Sequence, residues 1–160
     1  MREPQALSSP GISRRGHPFA GAAFAPHEEG ATAAKQAPAR LLIVEDDHLV
    51  AMEMESVLLG AGFEVTGIAA TAEGALRQAR SAKPDLALMD IRLAGARDGV
   101  DAALDLFRQM GVRCVFATAH HDKNTQLRAQ PAQPLGWLSK PYQPGALLQA
   151  VRTALSVLKL

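Results

Sequence analysis

The sequence predicts an α/β fold, a parallel sheet covered on both faces by helices. Three observations carry that prediction. From Leu41 onward, short apolar runs alternate with segments of helical period, the pattern of repeated β-α units. Five such units can be counted, each opening on a run of strand length. The chain has 160 residues, enough for one domain with a preceding tail and for burial of a single core.

The first strand is read at "LLIV", 41 to 44. A helix follows in which Val50, Met54, Val57, Leu58 and Ala61 recur at steps of three or four, with Gly62 where a left-handed C-terminal residue is wanted. The second strand is "FEVTGIA", 63 to 69. After it Thr71 is placed to cap a helix carrying Ala72, Ala75, Leu76 and Ala79, which Pro84 cannot join. "DLALM", 85 to 89, is the third strand, and its helix runs from about Asp98 to Met110. The fourth strand is "RCVFA", 113 to 117. Beyond it Pro131 and Pro134 remove two backbone donors, so the fourth helix is expected to be short, about two turns from Asp122 to Ala129, with an extended loop after it. "GWLS", 136 to 139, is the fifth strand. Pro144 suits the first turn of a last helix with Leu147, Leu148, Val151, Leu155 and Leu158 on one side.

Residues 1–39 read differently. The first forty residues hold ten Ala, five Pro and four Gly without helical or strand period, so a disordered tail is expected there and a domain over 40–160. The pair Arg14 and Arg15 is read as a solvated charge. From residue 41 the chain has twelve basic and thirteen acidic residues, which gives no footprint for nucleic acid. No apolar stretch approaches the roughly 20 residues of a membrane span, and no secretory leader follows Arg2. Cys114 is the lone cysteine, so no disulfide forms within one chain; it is read as a core thiol. A soluble, cytoplasmic protein is expected.

In an open α/β sheet, ligands gather outside the carboxyl ends of the strands. Here those ends read Glu45, Asp46 and Asp47 after strand one, Asp90 after strand three, Thr118 after strand four and Lys140 after strand five. Converging carboxylates repel unless a cation intervenes. A hard all-oxygen donor set suits Mg²⁺, with Lys140 as a second positive charge and the Thr118 hydroxyl as a donor to an oxyanion. Asp90, held ionised, is then placed to attack a phosphoryl group as a nucleophile. Asp47 is read instead as the cap of the first helix.

"LLIVEDD", "DLALMDIRLAG" with "DGV" after it, "VFATA" and "GWLSKPY" follow one another in this order, with Asp90 forty-five residues after Glu45 and fifty before Lys140. On these four pieces the chain from Leu41 resembles the receiver domain of two-component response regulators. The resemblance implies a flavodoxin-like five-stranded sheet in order 2-1-3-4-5. It implies Mg²⁺-dependent phosphorylation of Asp90 by a phosphohistidine on a sensor histidine kinase or histidine phosphotransfer protein. Metal ligands would be Glu45 through water, Asp46, Asp90 and the backbone carbonyl of Arg92. Lys140 would pair with the phosphoryl group, Thr118 and the amide of Ala119 would bind its oxygens, and Trp137 would be the aromatic switch residue. Arg92 and His120, each two residues beyond a site residue, would tune the phosphoryl lifetime, and Pro141 would hold its loop through a cis peptide bond.

Glu45 stands where an aspartate is commoner, and Trp137 is bulkier than the usual aromatic. "FATA" and the proline-broken fourth helix resemble an atypical subgroup with a "FAT" signature, in which signalling would order residues 121 to 134. A phosphatase of the haloacid dehalogenase type is disfavoured because Arg92 occupies the place of its second aspartate. Nucleotide hydrolysis lacks a Gly-rich loop. Zinc is disfavoured because His48, His120 and His121 have no cysteine partner and adjacent histidines diverge. With no second domain after Leu160, a stand-alone receiver is expected, not an enzyme, whose output is binding of a downstream protein.

Overall fold

A computed structural model of the chain describes residues 37–119 and 122–159. Five strands, β1 (Arg40–Val44), β2 (Glu64–Ala69), β3 (Leu86–Met89), β4 (Arg113–Thr118) and β5 (Gly136–Ser139), form one parallel sheet in the order β2-β1-β3-β4-β5. Five helices connect or follow them: α1 (His48–Gly60), α2 (Ala72–Ala82), α3 (Gly99–Met110), α4 (Lys123–Ala129) and α5 (Pro144–Leu158). The flavodoxin-like class and strand order implied by the resemblance are those of the structure. The tail assigned to residues 1–39 falls almost wholly outside the described residues.

The two faces of the sheet are separated by the period of two along each strand. Leu41, Ile43, Leu86, Leu88, Val115 and Ala117 point one way and pack with Met54 and Leu58 of α1 and with Leu147, Val151 and Leu155 of α5. Leu42, Val44, Ala87, Met89, Cys114 and Phe116 point the other way, onto Ala75 and Leu76 of α2 and Val100, Ala103 and Leu106 of α3. All twelve of these strand residues are buried. β1, β3 and β4 are covered on both sides, which is why their sequences lack the polar alternation of a half-exposed strand.

Local chemistry fixes where the helices start. Asp47 accepts from the amides of Leu49 and Val50, Thr71 from Gly74, and Asp122 from Thr125. Asp98 and Asp101 form a reciprocal capping box at α3. Gly62 takes φ +86° just past α1, as its placement predicted. One expectation needs correction. The chain after Ala129 does not run directly into an extended loop but continues as a 3-10 turn, Gln130–Ala132. Pro131 sits in its first turn, where a missing amide proton costs nothing, and Ala132 is buried under α3.

The Cys114 thiol, 1% exposed, is pushed up to about 12 by burial. At about pH 8 iodoacetamide should leave native Cys114 unmodified and label it fully in denaturant, since the thiolate is the nucleophile. Rapid labelling of the native protein would mean that β4 opens.

Candidate functional site

Parallel register brings the strand ends together. Val44 pairs with Met89, Met89 with Phe116 and Phe116 with Trp137, one row across four strands. The ladders continue past it: Asp90 N donates to Val44 O at 2.8 Å, and β4 and β5 stay paired through Thr118 and Ser139, after which Lys140 N donates to Thr118 O at 3.0 Å. Glu45 and Asp90 therefore leave the sheet side by side at its C-terminal edge. Lys140 reaches them from β5.

Glu45, Asp90 and Thr118 are the buried polar residues among those described. The Lys140 ammonium donates to Glu45 Oε2 at 2.5 Å and to Asp90 Oδ2 at 2.9 Å. The remaining carboxylate oxygens are taken locally: Glu45 Oε1 accepts from the Asp47 amide at 3.2 Å, and Asp90 Oδ1 from the Ile91 amide at 2.7 Å. Burial pushes the Glu45 carboxyl up from its ordinary range; hydrogen bonds from Lys140 and the Asp47 amide oppose that without overcoming it. For Lys140, burial favours the neutral amine, but the hydrogen bonds to Glu45 and Asp90 outweigh it and the net direction is upward. The surroundings thus favour the charged form of Lys140 and disfavour that of Glu45.

Asp46 is exposed at the rim. Glu45, Asp46 and Asp90 each offer a carboxylate oxygen within 4.8 Å of the others. At an effective dielectric constant of 20, two unit charges that far apart repel by about 3.5 kcal/mol, and three carboxylates against one ammonium leave the cluster short of positive charge. The donor set is all-oxygen, hard and open to solvent on the Asp46 side, a fit to a small divalent cation that keeps part of its water shell.

The other predicted residues lie around this centre. Thr118 is buried at the end of β4, and Ala119 is exposed after it. Trp137 is partly buried and stacks on Phe116 with ring centroids 4.5 Å apart, so its ring belongs to the α2/α3 face. The Lys140–Pro141 peptide bond is cis. Arg92 is exposed in the β3–α3 loop. His120 and His121 lie outside the described residues.

Two features were missed from sequence. Tyr142, with Val50, Glu53, Ala119, Lys140 and Pro141, lines a cleft of about 320 Å³ beside the site. Burial pushes its hydroxyl up to about 12. Gly99, the first residue of α3, presses on the backbone of Asp90: a Cβ there would stand 1.8 Å from the Asp90 carbonyl oxygen. The "DGV" stretch was a signal for the second; nothing marked the first beyond its place two residues after Lys140.

The chain is an open, parallel α/β sheet whose C-terminal edge gathers three carboxylates, two of them bridged by one ammonium. The chain belongs to the response regulator receiver domain family, which it matches over residues 41–152. It is 34% identical over 129 residues to the phyllosphere-induced regulator PhyR of Methylorubrum extorquens, covering 80% of this chain and 48% of that one. It is also 34% identical to the transcriptional regulatory protein PdtaR of Mycobacterium tuberculosis, over 74% and 58% of the two chains. The chain thus spans about half the length of these curated relatives. Among solved structures, the receiver domain of a modulated diguanylate cyclase from Desulfovibrio desulfuricans G20 superposes with a TM-score of 0.71 at 35% identity, covering 76% of this chain and 97% of that one. The PhyR receiver domain of Erythrobacter litoralis gives 0.67 at 31%, covering 75% and 92%.

Residues 41–152 are therefore a receiver domain of two-component signalling, and receiver domains are switch domains. Receivers of this family interact with histidine kinases or phosphotransfer proteins. No helix among the described residues is long and apolar enough to cross a membrane.

Proposed function

We propose that this receiver is a phosphoacceptor switch in which Asp90 takes a phosphoryl group from a phosphohistidine on a sensor histidine kinase or histidine phosphotransfer protein. The observation that carries the reading is the position of the Asp90 carboxylate: at the end of the central strand, beside Glu45, with its Oδ2 2.9 Å from the Lys140 ammonium. An oxygen lone pair of Asp90 forms the new O–P bond. The P–N bond to the donor imidazole breaks, and the imidazole leaves with that electron pair. Lys140 is in place to pair with the incoming phosphoryl oxygens, since its ammonium already bridges the two buried carboxylates.

Asp46 and Asp90, the carbonyl of Arg92, and Glu45 through water are the groups that would hold Mg²⁺. The ion supplies neutralising charge for the phosphoryl oxygens when bound. The Thr118 hydroxyl and the Ala119 amide complete the phosphoryl-binding set, and Trp137, packed on Phe116, is the aromatic member of the switch. Arg92 and His120 tune the lifetime of the modified state. Leu127 of α4 and Val157 of α5, 59% and 45% exposed, support output through a protein partner on the α4, β5 and α5 face.

Incubation with acetyl phosphate and Mg²⁺ followed by intact-mass measurement tests the assignment. The wild type should gain one phosphoryl group and Asp90→Asn none, because the amide is not a nucleophile. Equal labelling of both proteins would defeat it.

A further inference from the structure

We propose that Arg128 is a positioning residue that couples helix α4 to the phosphoacceptor through the first turn of α3. The inference rests on the reading of Asp90 just given and adds a residue to it.

Three contacts in series make the connection. The first is steric. Gly99 N donates to Ile91 O at 2.7 Å, and the absent Cβ of Gly99 leaves no clearance over the Asp90 carbonyl, so a shift of the Asp90–Ile91 peptide moves the start of α3 with it. The second is the capping box, which makes that start a stiff unit: Asp98 Oδ1 accepts from Asp101 N at 3.0 Å, and Asp101 Oδ2 from Asp98 N at 3.4 Å. The third reaches α4. Each box carboxylate turns its other oxygen to Arg128 Nη2, Asp98 Oδ2 at 2.9 Å and Asp101 Oδ1 at 3.6 Å. One guanidinium thus reads the position of both capping residues.

Helix α4 is suited to receive this signal. It has seven residues, of which Ala129 alone is buried, so little packing fixes it. The clasp is half exposed, with Arg128 at 51%, which keeps it weak enough to open and re-form as α3 moves.

The test is amide exchange of α4 and of the first turn of α3, in wild type, Arg128→Gln and Arg128→Lys, metal-free and with Mg²⁺ plus beryllofluoride. Arg128→Gln should speed basal exchange in residues 123–129 by roughly 1.5- to 5-fold, the range of an exposed ion pair. Arg128→Lys, which keeps the charge, should recover most of that protection, and added salt should shrink the difference between wild type and Arg128→Gln; a packing role for the side-chain stem would leave that difference unchanged by salt. Beryllofluoride should change exchange in both elements of the wild type but only in α3 of Arg128→Gln. Unchanged basal rates, or an α4 response that survives in Arg128→Gln, overturns the coupling. If beryllofluoride alters no amide in any of the three proteins, the phosphoacceptor reading fails instead, and the basal α4 rates alone decide for or against the clasp.

Discussion

Lys140→Met should destabilise the metal-free protein by about 3 kcal/mol, the lower end of what removing one partner of a buried ion pair costs. The substitution keeps the stem and deletes the cation. Glu45 and Asp90, 3% and 9% exposed, are then left facing each other with no ammonium between them. The lower end applies because Lys140 itself retains 19% exposure and water reaches the rim. Linkage gives the sign of the pH effect. Lys140 is raised above 10.5, so its contribution is complete below that value and is lost as pH rises through the folded value. Glu45 is raised above 4.5, so its protonated form favours folding: that stabilisation is complete below 4.5 and is lost as pH rises through the folded value. Without Lys140, Glu45 loses a hydrogen bond that holds its carboxyl down and rises further. Urea unfolding in EDTA should therefore show the gap between wild type and Lys140→Met narrowing as pH is lowered from neutrality toward 4.5. Mg²⁺ should restore the variant more than the wild type, because no ammonium competes for the same oxygens. A gap independent of both pH and Mg²⁺ would mean that Lys140 does not act by balancing the charge of Glu45 and Asp90.

Strand ends and local caps were legible because their causes lie close by in sequence. Asp47 and Thr71 needed only the next three residues, and Asp90 and Lys140 needed only the rule that parallel strands end on one edge. The 3-10 turn was not legible: Pro131 forbids a mid-helix position yet suits a first turn, and only burial of Ala132 under α3 decides between a break and a fresh start. Arg128 was missed for a different reason. It lies thirty residues from Asp98, and charge on a short exposed helix reads as solvated until the packing of α4 against α3 is known. The aromatic at 137 was implied by the resemblance to receivers, but its stacking on Phe116 follows from the β4–β5 register, which no local pattern states.

Two glycines make the same demand on paper and should behave oppositely. At Gly99 a methyl group would fall 1.8 Å from the Asp90 carbonyl oxygen and 2.8 Å from its carbon. Both are backbone atoms fixed at one end by the Asp90 N bond to Val44 O and at the other by the Gly99 N bond to Ile91 O. Nothing nearby can rotate away, so Gly99→Ala should cost about 3 kcal/mol or more, the upper range for overpacking. It should also weaken Mg²⁺ binding, because the displaced segment carries Asp90. At Gly67 the methyl would meet Gln78 Oε1 at 2.0 Å, a shorter approach than any ordinary contact, but that atom is the far end of a flexible side chain. Gln78 can swing out and forfeit its 2.6 Å bond to Ile68 O, a loss of about 1 kcal/mol. Removing a glycine from a strand returns roughly 0.5–1 kcal/mol. Gly67→Ala should therefore be near neutral. Urea midpoints for the two variants, with a Mg²⁺ titration followed by Trp137 fluorescence, separate the cases; comparable losses at both sites would mean that the β3–α3 junction yields as readily as a glutamine side chain, and would remove the rigid contact through which α3 is held to follow Asp90.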